Sequence, residues 1–216
     1  MQRALKRTVD LCGALFGLVV LTPLMLCLAL LVAVRSGRPI LYREQRIGRG
    51  GIPFTLLKFR TLLAGSNSTR SIAPEDDARI TNVGLPLRRT RLDELPQLYN
   101  VLCGDMSLVG PRPMVHRHAD ALDAKTRAAL LSVRPGVTDP ASLLFFAEDA
   151  VLAGRPNAEA EYLKFLLPAK AKVQLEYLSR WSLWLDIRII VRTLASVWRP
   201  QAREDSILRV RALLPE

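Results

Sequence analysis

Residues 11–34 read LCGALFGLVVLTPLMLCLALLVAV, a run of 24 positions without a charged side chain. About 20 apolar residues are enough to cross the hydrocarbon core of a bilayer as a helix. A cleaved signal peptide usually has a shorter apolar region that ends at a small-residue cleavage site, and VAVRSG at 32–37 is a poor site. The run therefore predicts a helix that remains in the chain and enters a membrane.

The flanks of the run and a proline inside it bear on whether this helix crosses the membrane. Basic residues stand on both sides, namely Arg3, Lys6, Arg7, Arg35 and Arg38. Because basic flanks favour the cytoplasmic side, both ends would stay there. Pro23 removes a backbone donor and kinks or breaks a helix, and Thr22 could bond a carbonyl freed by the bend. These residues leave a spanning helix and a helix that re-enters the same face equally open.

The charge of the chain is concentrated around the same run. The protein has 216 residues, half of them hydrophobic, and a net charge of +11. Residues 1–60 hold ten Lys and Arg against Asp10 and Glu44, a net +8. A basic and apolar chain suggests nucleic acid or an anionic membrane surface as its partner. We expect Asp10 to form an ion pair with Lys6 or Arg7, one helical turn away.

The rest of the chain predicts an α+β protein that is mostly helical and carries one small β-hairpin. The hairpin covers 39–59, where apolar and β-branched residues surround the Gly-rich turn 48–51. Loops are predicted at 64–79 and 134–140. Helices are predicted from about Asp93 to Gly104, over 119–132, and over 159–179 with a break at Pro168.

The segment 181–198 predicts an amphipathic helix. Its apolar residues step by three or four positions and are Trp184, Ile187, Val191, Leu194 and Trp198. A Trp-rich amphipathic helix with arginines can lie on a membrane surface. Packing of this apolar stripe on the protein's own core is the alternative, and the sequence slightly favours it.

Two adjacent carboxylates, Asp93 and Glu94, lie within RLDELPQLYNVLCGDMSLVGPRP at 91–113. In one interpretation Asp93 is an N-cap, and both acids complement the dipole of the next helix, whose first turn tolerates Pro96. In the other interpretation the pair is a reactive centre. Aspartate is a known covalent nucleophile toward phosphorus. Glutamate is a suitable ligand for Mg²⁺, and the metal ion in turn binds substrate phosphates.

Basic residues around the pair favour the reactive centre. They are Lys58, Arg60, Arg88, Arg89, Arg91 and Arg112, the last held in a stiff turn between Pro111 and Pro113. Guanidinium groups bind phosphate oxygens in a bidentate fashion, so this surrounding predicts a phosphate-bearing substrate.

Other chemical classes lack support in the sequence. There is no P-loop and no GxGxxG pattern, which argues against ATP and dinucleotide sites. The three cysteines, Cys12, Cys27 and Cys103, lack disulfide-framework and zinc-ligand spacing, so the main domain is predicted to be cytosolic and reduced. A membrane-tethered nucleic-acid binder is a weaker alternative, because the interleaved aromatic and basic residues of single-strand binders are missing.

The chain resembles the bacterial sugar transferases, the small monotopic phosphoglycosyltransferases that act on undecaprenyl phosphate. The motifs that carry the resemblance are LKRTVDL (5–11), Pro23 in the apolar run, REQRIGRGGIPFTLLKFRT (43–61), RLDELPQLYNVLCGDMSLVGPRP (91–113), RPGVT (134–138) and WLDIRII (184–190). The resemblance covers about residues 3–198. LDELPQL, the NVL and GDMS pair and VGPRP, in that order, are its most specific part.

The resemblance implies a covalent mechanism at the inner membrane of a bacterium, on its cytoplasmic face. Asp93 would attack the β-phosphate of a UDP-sugar and release UMP, and undecaprenyl phosphate would then take the sugar phosphate. Glu94, with Asp93, would hold Mg²⁺. The phosphates or the nucleotide would be held by Lys58, Arg60, Arg88 and Arg112, in the turn made by Pro111 and Pro113.

The resemblance also implies an organisation of the chain. Residues 1–38 would form a re-entrant membrane helix bent at Thr22 and Pro23, 39–200 the catalytic domain and 201–216 a C-terminal tail. The sequence leaves open the sugar, the glycan pathway and whether the chain forms a homodimer.

Two departures from the family pattern affect the expected activity. Relatives with the DPAS form commonly have an arginine shortly after it, where this chain has Leu144 and Phe146, and KFRTL replaces the commoner KFRTM. A phosphate-binding arginine is therefore missing or supplied elsewhere. A catalytically impaired scaffold that recruits later enzymes is the alternative these residues support.

Overall fold

The computed structural model describes residues 2–66, 72–197 and 199–215. The fold is mostly helical, with two small sheets, as expected for the predicted class. The α-helices are α1 (Gln2–Ser36), α2 (Gly84–Thr90), α3 (Gln97–Cys103), α4 (His116–Asp120), α5 (Ala124–Leu130), α6 (Pro140–Leu144), α7 (Glu148–Leu152), α8 (Ala158–Glu161), α9 (Leu167–Ser179), α10 (Leu183–Val197) and α11 (Pro200–Arg211). The strands are β1 (Leu41–Ile47), β2 (Pro53–Phe59), β3 (Ser107–Val109) and β4 (Gly136–Thr138).

The apolar run lies in α1, a helix of 35 residues with Pro23 inside it. Among the described helices, α1 alone has the length and the apolar composition to cross a membrane. The helix continues through Pro23, so the bend and the re-entrant path stay predictions. The Thr22 hydroxyl donates to the Leu18 carbonyl at 2.6 Å, a side-chain bond of the type that often bends helices.

One face of α1 packs on the protein near both of its ends. Ala14 is buried in a cluster with β2 and α3, and further along Leu28 and Val32 are buried against Phe59 and Leu87. The other face is exposed over most of its length. The large apolar side chains on it include Leu15, Phe16, Val19, Val20, Leu26, Leu30 and Val34.

Charged groups attach the N-terminal part of α1 to the body. Lys6 and Asp10 form the expected pair, at 3.8 Å, but Asp10 is buried rather than interfacial. Its carboxylate accepts hydrogen bonds from the Ser107 hydroxyl at 2.8 Å and from the Leu108 N–H at 3.0 Å. Lys6 also pairs with Asp186 of α10 at 2.6 Å. These bonds tie α1, β3 and α10 together.

The predicted hairpin is confirmed. Strands β1 and β2 pair antiparallel from Leu41 opposite Phe59 to Ile47 opposite Pro53. The turn between them uses Gly50 and Gly51 with φ of 71° and 80°, a conformation that glycine adopts without strain. The part of the predicted loop 64–79 that falls at 67–71 lies outside the described residues.

The predicted loop at 134–140 contains the short strand β4. It pairs parallel with β3, Ser107 opposite Gly136 and Val109 opposite Thr138. A Cβ on Gly136 would lie 2.1 Å from the backbone nitrogen of Gly110, so only glycine permits this approach. Three residues are too short for a recognisable alternation, and the pairing depends on a distant segment.

Two predicted helices are divided in the structure. The segment 119–132 forms α4 and α5, because Asp123 begins a new helix by accepting a hydrogen bond from the Thr126 N–H at 3.0 Å. The segment 159–179 forms α8 and α9, joined by a wide π-helical turn, Tyr162–Leu166. This turn comes just before Pro168, whose ring would otherwise meet the carbonyl four residues back.

The C-terminal helices differ from the sequence prediction in two ways. The apolar stripe of α10 faces outward, with Trp184 at 67% and Leu194 at 65% exposure, so the preferred packing on the core is wrong; Trp198 lies outside the described residues. The predicted tail 201–216 forms most of α11, and Val210 and Leu214 are buried in the largest apolar cluster. The structure therefore joins this segment to the folded domain, since its apolar residues have a core to fill.

Candidate active site

A cavity of about 510 Å³ opens beside the adjacent carboxylates. Its walls come from β2, α2, the turn at 92–94, α6, α7 and α9. The structure brings together in its lining the predicted residues Lys58, Arg60, Arg88, Asp93, Glu94, Arg112 and Pro113. Pro111 is not part of the lining, and its carbonyl accepts a hydrogen bond from the Gly136 N–H at 2.9 Å.

The two carboxylates lie in a short 3₁₀ turn, Leu92–Glu94, between α2 and α3. Arg91 ends α2 in the left-handed conformation, with φ of 55°, and its N–H bonds to the Arg88 carbonyl. Leu92 packs against the C-terminal half of α1. Asp93 caps no helix, because α3 begins after Pro96 and has no side-chain cap. The N-cap interpretation is therefore wrong for this aspartate.

Asp93 is 6% exposed, and its carboxyl has no hydrogen-bond or ion-pair partner in the part of the chain that the structure describes. Burial raises the pKa of Asp93 to about 6, and the negative charge of Glu94 adds to the rise. Lys58, Arg88 and Arg112 act in the opposite direction on the pKa but do not cancel it. At neutral pH most of Asp93 is an unpaired carboxylate, a chemically available nucleophile.

Glu94 is equally buried but fully paired. Arg112 contacts both of its carboxylate oxygens, with Nη1 at 3.3 Å from Oε2, and the Lys58 ammonium lies 3.4 Å from Oε1. Burial alone would raise the pKa of Glu94, but Arg112, Lys58 and Arg91 together hold it below its ordinary value. Glu94 is thus a fixed anion that positions two cations in the cavity.

Like Arg112, the other two arginines predicted to bind phosphate have protein partners. Arg60 donates to the carbonyls of Arg38 at 2.9 Å, Gly37 at 2.8 Å and Ser36, which are the last groups of α1 and the residues after it. This arrangement caps α1 and leaves the phosphate-binding prediction for Arg60 without structural support. Arg88 pairs with Asp149 at 2.6 Å while still lining the cavity.

Sequence reasoning missed several residues that line or support the cavity. Lys170, which is buried, and Glu148, which is partly exposed and 22 residues earlier in the sequence, form an ion pair; the lysine nitrogen lies 2.7 and 2.8 Å from the two carboxylate oxygens. No local pattern marks this pair. Asp139, which is completely buried, accepts hydrogen bonds from the Ser142 N–H at 2.6 Å and the Arg112 N–H at 3.3 Å. The sequence did contain a signal for Asp139, because aspartate followed by proline is a common helix start.

The carboxylates of Asp93 and Glu94 could hold Mg²⁺ only together with ligand atoms from the substrate. The described residues contain no cluster of three or more His, Cys, Asp or Glu side chains suited to a metal. Mg²⁺ commonly binds through one or two carboxylates together with substrate phosphates and water, so an all-protein cage is not required. Asp93 has no cationic partner within ion-pair distance among the described residues, whereas a metal at Glu94 would share an oxygen with Arg112 or Lys58.

Comparison with known proteins places the chain in a family. A family model described as bacterial sugar transferase matches residues 1–200. The chain is 37% identical over 195 residues to a UDP-glucose:undecaprenyl-phosphate glucose-1-phosphate transferase of Caulobacter vibrioides, covering 89% of this chain and 69% of that protein. It is 35% identical over 196 residues to an Escherichia coli protein of the same name, covering 89% of this chain and 40% of that protein.

A third relative is named for another sugar. The UDP-N-acetylgalactosamine-undecaprenyl-phosphate N-acetylgalactosaminephosphotransferase of Aeromonas hydrophila is 33% identical over 197 residues, covering 89% of this chain and 43% of that protein. The chain thus spans less than half the length of two of these three relatives. Together with the match of the family model over nearly its whole length, these similarities show that the chain belongs to the bacterial sugar transferase family.

Proposed function

We propose that this protein transfers a sugar 1-phosphate from a UDP-sugar to undecaprenyl phosphate and releases UMP. The single observation that carries the proposal is Asp93, a buried carboxylate without a partner among the described residues, in a cavity lined by Lys58, Arg88 and Arg112. The relatives whose names state this reaction class support it.

The reaction proceeds in two displacements at one phosphorus atom. A carboxylate oxygen of Asp93 forms a bond to the β-phosphorus of the UDP-sugar, and the bond from that phosphorus to the bridging oxygen breaks, so UMP leaves with the electron pair. A phosphate oxygen of undecaprenyl phosphate then attacks the same phosphorus. The bond to Asp93 breaks, and the product is undecaprenyl-diphosphate sugar with a regenerated carboxylate.

The neighbouring cations stabilise the negative charge that builds up on the phosphoryl oxygens. Arg112 and Lys58 are held in place by Glu94, so they need no rearrangement when the substrate binds. Mg²⁺, when bound by Glu94 or Asp93 together with the diphosphate, would supply further charge neutralisation. Glu94 itself keeps the two cations from binding Asp93, which leaves the nucleophile open.

The membrane arrangement is part of the same proposal. The protein would be monotopic, with α1 entering the cytoplasmic leaflet of the inner membrane and returning to the same face. Both ends of α1 pack on one folded body, which supports this topology because a crossing helix would have to separate one end from it. The outward apolar stripe of α10, flanked by exposed Arg188 and Arg192, suits the interface with anionic lipid.

The activity test uses purified protein in nanodiscs with Mg²⁺, undecaprenyl phosphate and a panel of UDP-sugars. We expect UMP release with one or few donors, and an Asp93→Asn variant without activity. An active Asp93→Asn variant would overturn the covalent mechanism. Absence of turnover with every donor would favour the scaffold alternative that Leu144 and Phe146 suggested.

The topology test labels a single cysteine at position 3 after replacement of Cys12, Cys27 and Cys103. We expect protection from a membrane-impermeant reagent in intact cells and labelling in lysed cells. Labelling in intact cells would place that end outside the cytoplasm and contradict the re-entrant path.

A further inference from the structure

The basic residues that line the cavity differ in whether the protein already neutralises them. In the described part of the chain, seven of the eight have a carboxylate within 4 Å or several backbone carbonyls as partners: Arg46 with Glu44, Lys58 and Arg112 with Glu94, Arg79 with Asp77, Arg88 with Asp149, Lys170 with Glu148, and Arg60 with three carbonyls. The eighth is Arg91. Its described contacts include no carboxylate at ion-pair distance.

Arg91 is nevertheless held in a defined place. One Nη2 hydrogen bond goes to the Ser142 carbonyl at 2.8 Å, and the guanidinium carbon lies 4.8 Å from the centre of the Phe146 ring. Its backbone has φ of 55°, an uncommon conformation for a residue other than glycine. A guanidinium has five N–H donors, so this arrangement leaves several open toward the cavity that Arg91 lines.

The surroundings of Arg91 favour an anion as the missing partner. Burial lowers the pKa of Arg91, because the guanidinium has lost hydration without gaining a full counter-charge. Stacking on an aromatic face orients a guanidinium without using its N–H donors. Position also matters, because Arg91 is two residues before Asp93 and belongs to the same connection between α2 and α3.

We propose that Arg91, seated on Phe146, binds a phosphoryl oxygen of the nucleotide diphosphate donor. The proposal rests on the proposed function and identifies one further substrate-binding residue for it. Phe146 then acts as a positioning residue, because its ring lies against the guanidinium of Arg91. Arg91 thus supplies a cation beside Phe146, and neither position 144 nor position 146 is an arginine in this chain.

The experiment measures UDP binding by calorimetry and the KM for the UDP-sugar, with the full chain in nanodiscs. Arg91→Gln should weaken UDP binding and raise KM by about 10- to 100-fold, since hydrogen bonds to charged groups are worth about 1.5–3 kcal/mol. Arg91→Lys, which keeps the charge but loses the planar fork, should lie between. Phe146→Leu should weaken UDP binding by about threefold, while the affinity for uridine, which has no phosphate, should not change in any variant.

Arg89→Gln is the matched control. Arg89 lies two residues before Arg91, in the last turn of α2, is half exposed, and pairs with Glu75 instead of lining the cavity. We expect its UDP affinity to equal that of the unmodified protein. Thermal unfolding of every variant checks that the fold is kept. Equal UDP affinity in folded Arg91→Gln and Arg89→Gln, or a parallel loss of uridine binding, would overturn the proposal.

The two proposals can fail separately. Loss of UDP binding in Arg91→Gln, in a protein that forms no lipid-linked product, would support this site and overturn the transferase function. Unchanged UDP binding in Arg91→Gln, in a protein that releases UMP normally, would overturn the role of Arg91 and support the transferase function.

Discussion

Asp93 and Glu94 are neighbours in the chain, yet their side chains have opposite electrostatic surroundings. Both are buried, which by itself raises the pKa of a carboxyl group. Ion pairs with Arg112 and Lys58 compensate Glu94 for its lost hydration, whereas Asp93 has no such partner among the described residues. The same turn therefore holds one carboxylate in ion pairs and leaves the other available for the proposed attack on phosphorus.

This difference predicts the pH dependence of the first displacement. Because the folded pKa of Asp93 is raised to about 6, its nucleophilic form is depleted as the pH falls below that value. The rate of the UMP burst should fall about tenfold per pH unit below that pKa and level off above it. The burst is measured without the lipid acceptor, since a phosphate monoester has its own pKa near 6.

A control separates Asp93 from general acid unfolding. Circular dichroism and thermal unfolding should show intact protein over the pH range of the measurement. A burst rate that stays constant down to pH 4.5 in folded protein would contradict the assignment of Asp93 as the group that titrates.

At the scale of elements, the β3–β4 pair positions Arg112. The two strands approach so closely that Gly110 and Gly136 touch through their backbones, and Pro111 bonds to Gly136. Asp139, just after β4, holds the backbone N–H of Arg112. A connection that looked like a flexible loop in the sequence is thus a rigid support for Arg112.

Gly136→Ala tests this support. The added Cβ would lie 2.1 Å from the Gly110 nitrogen, and backbone atoms cannot move aside as a side chain can. We expect a loss of about 1–3 kcal/mol in the free energy of unfolding and a lower kcat, because Arg112 shifts. Denaturant unfolding and the UMP assay measure the two effects.

Gly17→Ala is the comparison for that variant. Its Cβ would lie 3.1 Å from a methyl group of Leu98, at the flexible end of a side chain. A smaller loss of stability and an unchanged kcat are expected. Equal effects of the two substitutions would show that the β3–β4 contact has no special role.

At the scale of the whole molecule, apolar surface is concentrated on two helices at opposite ends of the sequence. The exposed face of α1 and the stripe of α10 are linked through the Lys6–Asp186 pair. Exposed apolar surface of this extent marks an interaction site rather than ordinary surface. We infer that both helices contact the same lipid layer, which would bring the cavity near the lipid phosphate.

Replacement of Ile187 and Val191 by aspartate tests the contribution of α10. The two side chains are 44% and 59% exposed, so the fold should be kept. We expect weaker association with vesicles that contain anionic lipid, and a higher KM for undecaprenyl phosphate with an unchanged UDP affinity. Co-sedimentation with vesicles and the UMP assay provide the measurements.

Leu208→Asp on α11 is the matched control, since Leu208 is 66% exposed but lies outside the stripe. Its vesicle association should match that of the unmodified protein. If the α10 variant binds vesicles as well as this control does, α10 does not contact the membrane.

The sequence by itself determined the elements whose causes are local. The apolar run, the Gly-rich hairpin, the helix end at Gly104 and the adjacency of Asp93 and Glu94 can all be read from neighbouring residues, because propensity and periodicity act over a few positions. The family resemblance extended this to the expected chemistry of the carboxylate pair.

Only the tertiary structure decided which charges remain available. Arg60 and Arg88 are equally basic in the sequence and both line the cavity, but Arg60 is bound to the carbonyls at the end of α1 and Arg88 is paired with Asp149. Arg91 keeps N–H donors available for a ligand, because its described contacts are the Phe146 ring and one backbone carbonyl. The free energy of a buried charge depends on the groups within a few ångströms of it, and those groups come from distant parts of the chain.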